Sequence, residues 1–186
     1  MLRLATIADR IRSRLARHAG NEDGFAAVEF AMIVPIMVVL FLGAVEFSEA
    51  LTVDRRVTAV ASATADLVGQ SEEVSTSDLD DIMVIADSLL GRVNPVPLKI
   101  TLMSITSDAT GAYTVDWSYG DGASAYGQGS NYSKVPTEMA LPNQSLIVSE
   151  VTYDFTPPVG HFLTGSITLA EQLFVLPRRV SKVELN

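Results

Sequence analysis

The side chains that most often carry out catalysis or bind metals are scarce in this sequence. It has no cysteine, which excludes disulfides, thiolate catalysis and zinc sites built on cysteine. Its two histidines are His18, in the N-terminal segment, and His161, beside Gly160. A single histidine on its own supports neither a Ser-His-Asp triad nor a zinc site with several histidines. The sequence therefore predicts a protein that is not an enzyme and that holds no cofactor.

Two groups of polar residues have oxygen atoms of the kind that bind Ca²⁺. They comprise Asp78, Asp80 and Asp81 in one stretch and Asp116, Asp121 and Asn131 in another. Neither group has the ligand spacing and the closing glutamate of a known calcium loop. Acidic residues also stabilise the first turn of a helix through its dipole, and we favour that interpretation for the first group. No metal site is predicted.

A single carboxylate, Glu29, interrupts the most apolar segment of the chain. Residues 25–45 read FAAVEFAMIVPIMVVLFLGAV, with Glu29 as the only charge among 21 residues. As a helix this segment is long enough to cross a hydrocarbon core of about 30 Å. A carboxylate inside a membrane helix costs roughly 2.5 to 3.5 kcal/mol on insertion scales, so it usually has a partner. Residues 25–45 are therefore predicted to form a transmembrane helix.

The distribution of charge predicts the orientation of this helix. Residues 1–24 contain five arginines and three acidic residues, whereas residues 46–60 contain two arginines and three acidic residues. The positive-inside rule then keeps residues 1–24 in the cytoplasm as a basic leader and exports residues 46–186 to the periplasm. Residues 25–186 carry 8 basic and 19 acidic residues, a net charge of -11. Such an acidic chain does not suit binding to nucleic acid.

Two helices are predicted from apolar residues at helical spacing. The first helix continues beyond the membrane to Gly69. Its stripe contains Leu51, Val53, Val57, Val60, Ala61, Ala65 and Leu67 or Val68. The second helix begins at Ser77 as N-cap, with Asp80 three residues later, and ends at Gly91. Its stripe contains Leu79, Ile82, Met83, Ile85, Ala86 and Leu89.

After residues 94–97 the apolar period becomes two, which is typical of strands. Residues 98–106 are predicted to pair through a loop at 107–111 with a strand whose apolar residues alternate with polar ones. The apolar residues of that strand are Tyr113, Val115, Trp117 and Tyr119. Two later strands are also predicted. The first carries Ile147, Val151, Tyr153 and Phe155, and the second carries Ile167, Leu169, Leu173 and Val175. The expected fold class is α+β, with a small antiparallel sheet of about four strands. A helix covers one sheet face, and the other face is left to water or a partner.

The segment between the second and third predicted strands has a different composition. Residues 120–134 read GDGASAYGQGSNYSK, rich in glycine and asparagine and without periodicity, so an exposed loop is predicted. Tyr126 and Tyr132 lie in this loop. Together with the strand aromatics they form either a surface patch or part of a core, and core packing is favoured for the strand members.

The residues at the start of the predicted membrane helix form a motif. Gly24-Phe25-Ala26-Ala27-Val28-Glu29-Phe30 follows the basic leader and precedes the apolar helix. This string resembles the prepilin peptidase site of Flp-type (type IVb) pseudopilins. With Pro35 and Gly43-x-x-Glu46-Phe47, the chain resembles TadE-like proteins of the tight-adherence pilus machinery over about residues 20–60. A looser similarity covers residues 151–157.

The resemblance implies cleavage after Gly24, which makes Phe25 the first residue of the mature protein. The new α-amino group would lie on the same helix face as Glu29, four residues later, and would neutralise it within the chain or from the next subunit. The implied role is that of a minor pseudopilin or assembly factor in pilus biogenesis and surface adhesion. The implied partners are prepilin peptidase, other pseudopilins, the pilus assembly machinery and inner-membrane lipid, with no small-molecule substrate.

Other interpretations of these residues stay open. Glu29 could snorkel to the cytoplasmic headgroups, Gly24 could end an amphipathic leader helix, and Pro35 is predicted to kink the membrane helix. One rival function is a secreted binding module cut after Ala50, although 21 apolar residues exceed the usual signal-peptide core. The other is an uncleaved single-span protein with a periplasmic sensing or binding domain, for which no clustered polar site is evident.

Overall fold

The computed structural model describes residues 22–91, 97–157 and 165–186. The predictions for the leader up to residue 21, for His18 and for His161 lie outside these residues. The chain divides into two compact units between Val45 and Glu46. The first helix, α1 (Glu22–Gly69), contains residues of both units. The long N-terminal helix predicted from the sequence is confirmed.

Residues of α1 from Glu46 onward supply one side of the core of the second unit. The buried residues recur three and four positions apart, as a helix face requires. They are Val53, Val57, Val60, Ala61, Ala65 and Val68. Leu51 and Leu67, which share the apolar pattern, are exposed, so Val68 is the buried member at the end of the stripe. α1 ends at Gly69, where a Cβ would come within 3.1 Å of Val175 Cγ1.

The second helix, α2 (Thr76–Leu90), is confirmed, but its start differs from the prediction. Ser75 is the N-cap, not Ser77. The backbone N–H of Asp78 donates to Ser75 Oγ, and Asp78 Oδ2 accepts from the Ser75 N–H at 2.8 Å. Both serines are followed three residues later by an aspartate, so the spacing alone could not decide between them. Gly91 ends the helix as predicted, with a φ of 72°.

The buried face of α2 differs slightly from the predicted apolar stripe. Leu79, Ile82, Met83 and Ala86 are buried as predicted. Ile85 and Leu89 are exposed, and Leu90 is buried in their place. The predicted stripe was wrong at its C-terminal end because it was wider than the face that the sheet covers.

The main sheet has five strands, one more than predicted. They are β2 (Lys99–Ser107), β3 (Tyr113–Asp121), β4 (Asn131–Tyr132), β5 (Ser145–Phe155) and β6 (Ile167–Val175). Their order is β4-β3-β2-β5-β6, and every pair is antiparallel. The extra strand is β4, a two-residue strand inside the predicted loop. Two further short strands, β1 (Glu73–Val74) and β7 (Glu184–Leu185), pair in parallel.

A β-bulge in β3 changes which sheet face its aromatic residues occupy. Ser104 pairs with Trp117, whereas the next residue, Ile105, pairs with Val115. Asp116 is therefore the extra residue, and the faces exchange at this point. Trp117 packs in the cluster beneath the helices, and Val115 packs in a cluster on the opposite face. The strand predicted from the alternation of Tyr113, Val115, Trp117 and Tyr119 with polar residues is confirmed, but the bulge divides these four residues between the two faces.

Both faces of the sheet are covered over part of their area. The first face meets α1 and α2, and buried Tyr153, Phe155 and Trp117 lie in that core. On the second face Met103, Ile105 and Val148 are buried, and four partly buried residues pack against them. These are Tyr126, Val135, Ala140 and Phe174. The second face was predicted to meet water or a partner, which was wrong here because the segment after β3 folds back and buries its own large side chains.

Candidate assembly site

The first unit presents large apolar side chains on all sides of a helix. Phe25 is 75% exposed, Phe30 is 67% exposed and Phe41 is 67% exposed. Soluble proteins rarely leave so continuous an apolar surface in water. α1 is the one helix among the described residues that is long and apolar enough to cross a membrane. An apolar helix of this kind indicates single-pass anchoring in a membrane.

The bond at which cleavage is predicted lies at the start of α1. Gly24 is the third residue of the helix, within the first turn, where backbone N–H groups have no partner inside the helix. A Cβ added to Gly24 would meet no atom within 4 Å. Gly24 and Phe25 are both exposed. The bond between them is therefore not enclosed by other described parts of the chain.

Glu29 is exposed on the apolar helix, one turn after Phe25. Residues four apart lie on the same face of a helix, so the two share a face as predicted from their spacing. In the described part of the chain Glu29 has no hydrogen-bond or ion-pair partner. Phe30 lies next to it and is likewise exposed. A carboxyl group is thus presented at an apolar surface, where a cationic partner would stabilise its ionised form.

Pro35 lies inside α1, and the helix assignment continues through it. Proline lacks an N–H, so the carbonyl of Ala31, four residues earlier, loses its usual partner. In a membrane a neighbouring helix or a side chain must satisfy such a carbonyl. The kink predicted at Pro35 stays a prediction.

Glu46 is a residue whose role was missed at the sequence level. Its exposed fraction is 0%, although it is a carboxylate. It takes part in a polar or electrostatic interaction. The sequence did indicate this burial through helical spacing. Glu46 lies seven residues before Val53 and eleven before Val57, so all three lie on the buried face of α1. A carboxylate in that phase indicates a buried, partnered charge rather than a solvated one.

A polar cluster joins the loop after β3 to strands β5 and β6, and we call it the Glu150 cluster. Glu150 Oε1 accepts hydrogen bonds from Tyr132 Oη at 2.7 Å, Lys134 Nζ at 2.9 Å and Gln172 Nε2 at 3.0 Å. Glu150 Oε2 accepts from Tyr126 Oη at 3.0 Å. The two tyrosine rings meet edge to face, with centroids 5.6 Å apart. The loop is thereby fixed to the second face of the sheet.

Burial and hydrogen bonding shift the pKa of the Glu150 carboxylate in opposite directions. Burial acts to raise its pKa, but the hydrogen bonds from Lys134, Tyr132 and Tyr126 outweigh it, and the pKa lies below the usual value. Burial and the bond to Glu150 raise the pKa of Tyr132. The bonds to Glu150 and Tyr126 raise the pKa of Lys134. The cluster therefore holds a carboxylate anion and an ammonium cation together near neutral pH.

A cavity of about 440 Å³ opens beside this cluster, between β2, β5 and the loop. Its lining comprises Lys99, Thr101, Ala123, Ser124, Ala125, Tyr126, Glu150 and Thr152. The two charges in the lining are already neutralised, since Lys99 pairs with Asp154 at 2.9 Å and Glu150 with Lys134 at 2.9 Å. The arrangement offers hydroxyl groups and small apolar side chains, but no free charge.

Three of the six residues considered for Ca²⁺, namely Asp78, Asp80 and Asp116, are engaged in contacts within the protein. Asp78 belongs to the capping box of α2, and the hydrogen bond from Ser75 lowers its pKa. Asp80 accepts a hydrogen bond from Tyr119 Oη. Asp116, at the bulge, accepts from Thr106 Oγ1 at 2.6 Å and pairs with Lys182 at 3.3 Å. No group of three or more acidic, histidine or cysteine residues suited to a metal occurs in the described ranges.

Comparison with known protein families places the predicted motif within a matched segment. Residues 24–66 match the model of the family described as TadE-like protein. The resemblance to TadE-like proteins is confirmed over these residues, which include Gly24, Phe25, Glu29, Phe30 and Pro35. The match supports a protein associated with Tad/Flp pilus systems and their assembly components. The chain has no match among curated proteins and none among solved structures.

Proposed function

We propose that this chain is a minor pseudopilin or assembly factor of the Tad/Flp pilus, with a role in pilus biogenesis and surface adhesion. The observation that carries the proposal is an exposed apolar helix with Gly24, Phe25 and Glu29 at its start, inside the segment that matches TadE-like proteins. Prepilin peptidase would cut between Gly24 and Phe25. The chain is then a substrate and a structural partner, and it acts by docking.

The helix and its carboxylate suggest how assembly would proceed. Cleavage creates an α-amino group at Phe25, one turn from Glu29. That amine, from the same chain or from the next subunit, neutralises the carboxylate inside the apolar environment, where an unpaired charge is costly. The exposed side chains of residues 25–45 then pack against lipid before assembly and against neighbouring pilus subunits afterwards. Glu29 is thus proposed as an assembly residue, with Phe30 beside it.

Orientation and location follow from charge. The basic leader stays in the cytoplasm, the helix spans the inner membrane, and residues 46–186 lie in the periplasm. The acidic character of the exported part offers electrostatic specificity toward partners of the pilus machinery. Lateral contacts in the membrane and contacts of the folded unit together make up the proposed docking function.

The secreted-module alternative is less well supported by the structure. Ala50 lies in the middle of α1, and it packs against the core cluster of the second unit. Cleavage after Ala50 would remove the buried Glu46 from that unit. The single-span sensor would need a ligand site with free polar groups, whereas the charges lining the described cavity are paired within the chain.

N-terminal sequencing of the protein extracted from the membranes of piliated cells tests the proposal. The expected first residue is Phe25, and replacing Gly24 with leucine should block cleavage because a bulky side chain obstructs the peptidase. An Ala26→Leu variant is the matched control, since it changes size next to the site and leaves Gly24 in place. A first residue of Leu51 would support the secreted module, and Met1 would support the uncleaved single-span protein.

A further inference from the structure

The two edges of the five-stranded sheet end in different ways. At one edge the chain closes β3 with its own loop: Gly129 N–H donates to the Val115 carbonyl at 2.7 Å, and Val115 N–H donates to the Ser130 carbonyl at 2.9 Å. At the other edge β6 pairs with β5 along nine residues in continuous register. Among the described residues, no strand pairs with the outer side of β6.

The sequence of β6 lacks the features that usually protect such an edge. Natural sheets shield edge strands with proline, lysine, bulges or short length. β6 reads ITLAEQLFV, nine residues without proline or a basic residue, and its pairing with β5 shows no bulge. Alternate residues of an antiparallel edge strand direct both backbone groups outward, so about four or five N–H and C=O pairs are available for a further strand.

One ionisable residue, Glu171, lies at the centre of this edge. It is partly buried, and in the described ranges its side chain has no hydrogen bond or ion pair. Its neighbour on β5 is Val151, which offers no charge. Leu169 and Leu173 lie two residues to either side on the same face and pack against the core. On this face of the edge strand, the unpaired carboxylate of Glu171 therefore lies between the side chains of Leu169 and Leu173.

We propose that the outer edge of β6 binds an extended segment of another protein as a sixth strand. That segment places Lys or Arg opposite Glu171 and apolar residues opposite Leu169 and Leu173, because directly opposite side chains in a sheet interact most strongly. Its pattern is therefore apolar-x-basic-x-apolar. Because this pattern is symmetric about the basic residue, the segment can pair with β6 in either a parallel or an antiparallel direction. Backbone hydrogen bonds supply affinity, and the basic residue supplies specificity.

A second copy of this chain does not fit the same role. Symmetric antiparallel pairing of two β6 strands about their centre would set Glu171 against Glu171, and like charges directly opposite each other are destabilising. The described chain contains the apolar-x-basic-x-apolar pattern at Val53, Arg55 and Val57, which lie in helix α1 and are not extended, and again at Leu176, Arg178 and Val180. The second segment is already engaged, since Arg178 pairs with Asp66 and its N–H donates to the Gly69 carbonyl at 2.8 Å.

Binding of two labelled peptides to the full chain in detergent micelles tests this proposal. One peptide is Val-Thr-Leu-Thr-Lys-Thr-Leu-Thr-Val, and the other has Glu in place of its central Lys. Fluorescence anisotropy should show that the Lys peptide binds roughly tenfold more tightly, from the change in one cross-strand charge pair. Glu171→Lys should reverse the preference, whereas the control Asp121→Lys, at an exposed residue of β3, should leave it unchanged.

The remaining outcomes would overturn the proposal. Absence of binding by either peptide would show that the edge is not open, and equal binding would show that Glu171 does not select the partner. Self-association of the wild-type chain that Glu171→Lys alters would assign the edge to a second copy.

A second variant, Ala170→Pro, removes a backbone donor of β6. If the variant stays folded, it should bind both peptides more weakly than wild type does.

The proposed function enters this inference only through the identity of the natural partner, which we expect among the pilus components. Peptide binding requires neither cleavage at Gly24 nor a pilus, so a first residue other than Phe25 would leave the peptide result intact. In piliated cells, a Thr168→Cys variant provides a specific crosslinking site, since the chain has no native cysteine. A crosslinked pilus component with the apolar-x-basic-x-apolar pattern at the junction is the expected result, and a junction without a basic residue opposite Glu171 would contradict it.

Discussion

Two carboxylates of α1 have opposite surroundings, although each follows an apolar stretch in the sequence. Glu29 is exposed on the apolar surface of the first unit, and Glu46 is buried in the second. An exposed carboxylate contributes little to the stability of the unit that carries it. A buried carboxylate with a partner contributes to folding, because its removal leaves the partner unsatisfied. Changes at these two positions should therefore affect different properties.

Glu29→Gln is expected to leave membrane integration intact and to reduce pilus assembly by tenfold or more, on the order of the loss of one charge pair in an apolar setting. Replacement removes a charge that is costly in lipid, so insertion has no reason to fail. Membrane fractionation and counts of surface pili measure the two effects. Asp87→Asn, at an exposed residue of α2, is the matched control. Wild-type piliation of the Glu29→Gln strain would contradict the assembly role.

Glu46→Ala is expected to lower the free energy of unfolding of the second unit by about 2 kcal/mol. The change removes a fully buried side chain and the interaction that it makes. Denaturant unfolding of the full chain in detergent, followed by the fluorescence of the single tryptophan, Trp117, measures the loss. Asp54→Ala alters an exposed carboxylate of α1 and should change stability by less than about 0.5 kcal/mol. Equal stability of the two variants would show that Glu46 contributes nothing.

At the scale of elements, periodicity predicted which segments form helices and strands but not how they meet. The helical spacing of α1 and α2 and the alternation in β3 were sufficient because one face of each element is buried. The bulge at Asp116 could not be predicted, since it depends on the pairing of Ser104 and Ile105 with another strand. β4 also escaped prediction because two residues carry no period. The motif from Gly24 to Phe30 could be recognised in the sequence because its residues are consecutive. The Glu150 cluster could not be predicted, because it joins residues from distant segments.

The cap of α2 gives a prediction at this scale. Ser75→Ala should lower the free energy of unfolding by about 1 kcal/mol, because the N–H of Asp78 loses its acceptor. Ser77→Ala is the matched comparison, since Ser77 lies inside the helix, where its hydroxyl hydrogen-bonds to Ser75 Oγ at 2.9 Å but does not cap a backbone N–H. Its effect should stay within about 0.5 kcal/mol. Thermal or denaturant unfolding of both variants measures the difference, and a larger loss at Ser77 would restore it as the N-cap.

At the scale of the whole molecule, the second face of the sheet depends on the Glu150 cluster. The cluster joins residues 126–134 of the loop to β5 and β6, and the same loop covers the buried Met103, Ile105 and Val148. Loop residues that lack periodicity thus close a second core. A surface that sequence reasoning left to a partner is stabilised by an ion pair and tyrosine hydroxyls of the chain itself.

This arrangement predicts a pH dependence of stability. Because the pKa of Glu150 is lower in the folded chain than in the unfolded chain, its contribution is present above the unfolded value and is lost as pH falls through the folded value. Glu150→Gln should therefore lower the free energy of unfolding by about 2 kcal/mol at pH 7. The difference from wild type should shrink as pH falls through the ordinary glutamate range, because the carboxyl then becomes protonated in the unfolded chain, and it should vanish once pH falls through the lower folded-state pKa. For Lys134 the sign is opposite, since its raised pKa gives a contribution that is lost only as pH rises through the folded value.

Denaturant unfolding of the full chain in detergent between pH 3 and pH 8 measures this dependence, with Trp117 fluorescence as the reporter. Glu138→Gln is the matched control, because Glu138 is an exposed carboxylate in the turn of 3₁₀ helix at Thr137–Met139 and has no partner in the described chain. Its stability should follow wild type at every pH. A difference between wild type and Glu150→Gln that stays constant down to pH 3 would show that the charge of Glu150 does not stabilise the loop. In that case packing of Tyr126 and Tyr132 alone would hold the second core closed.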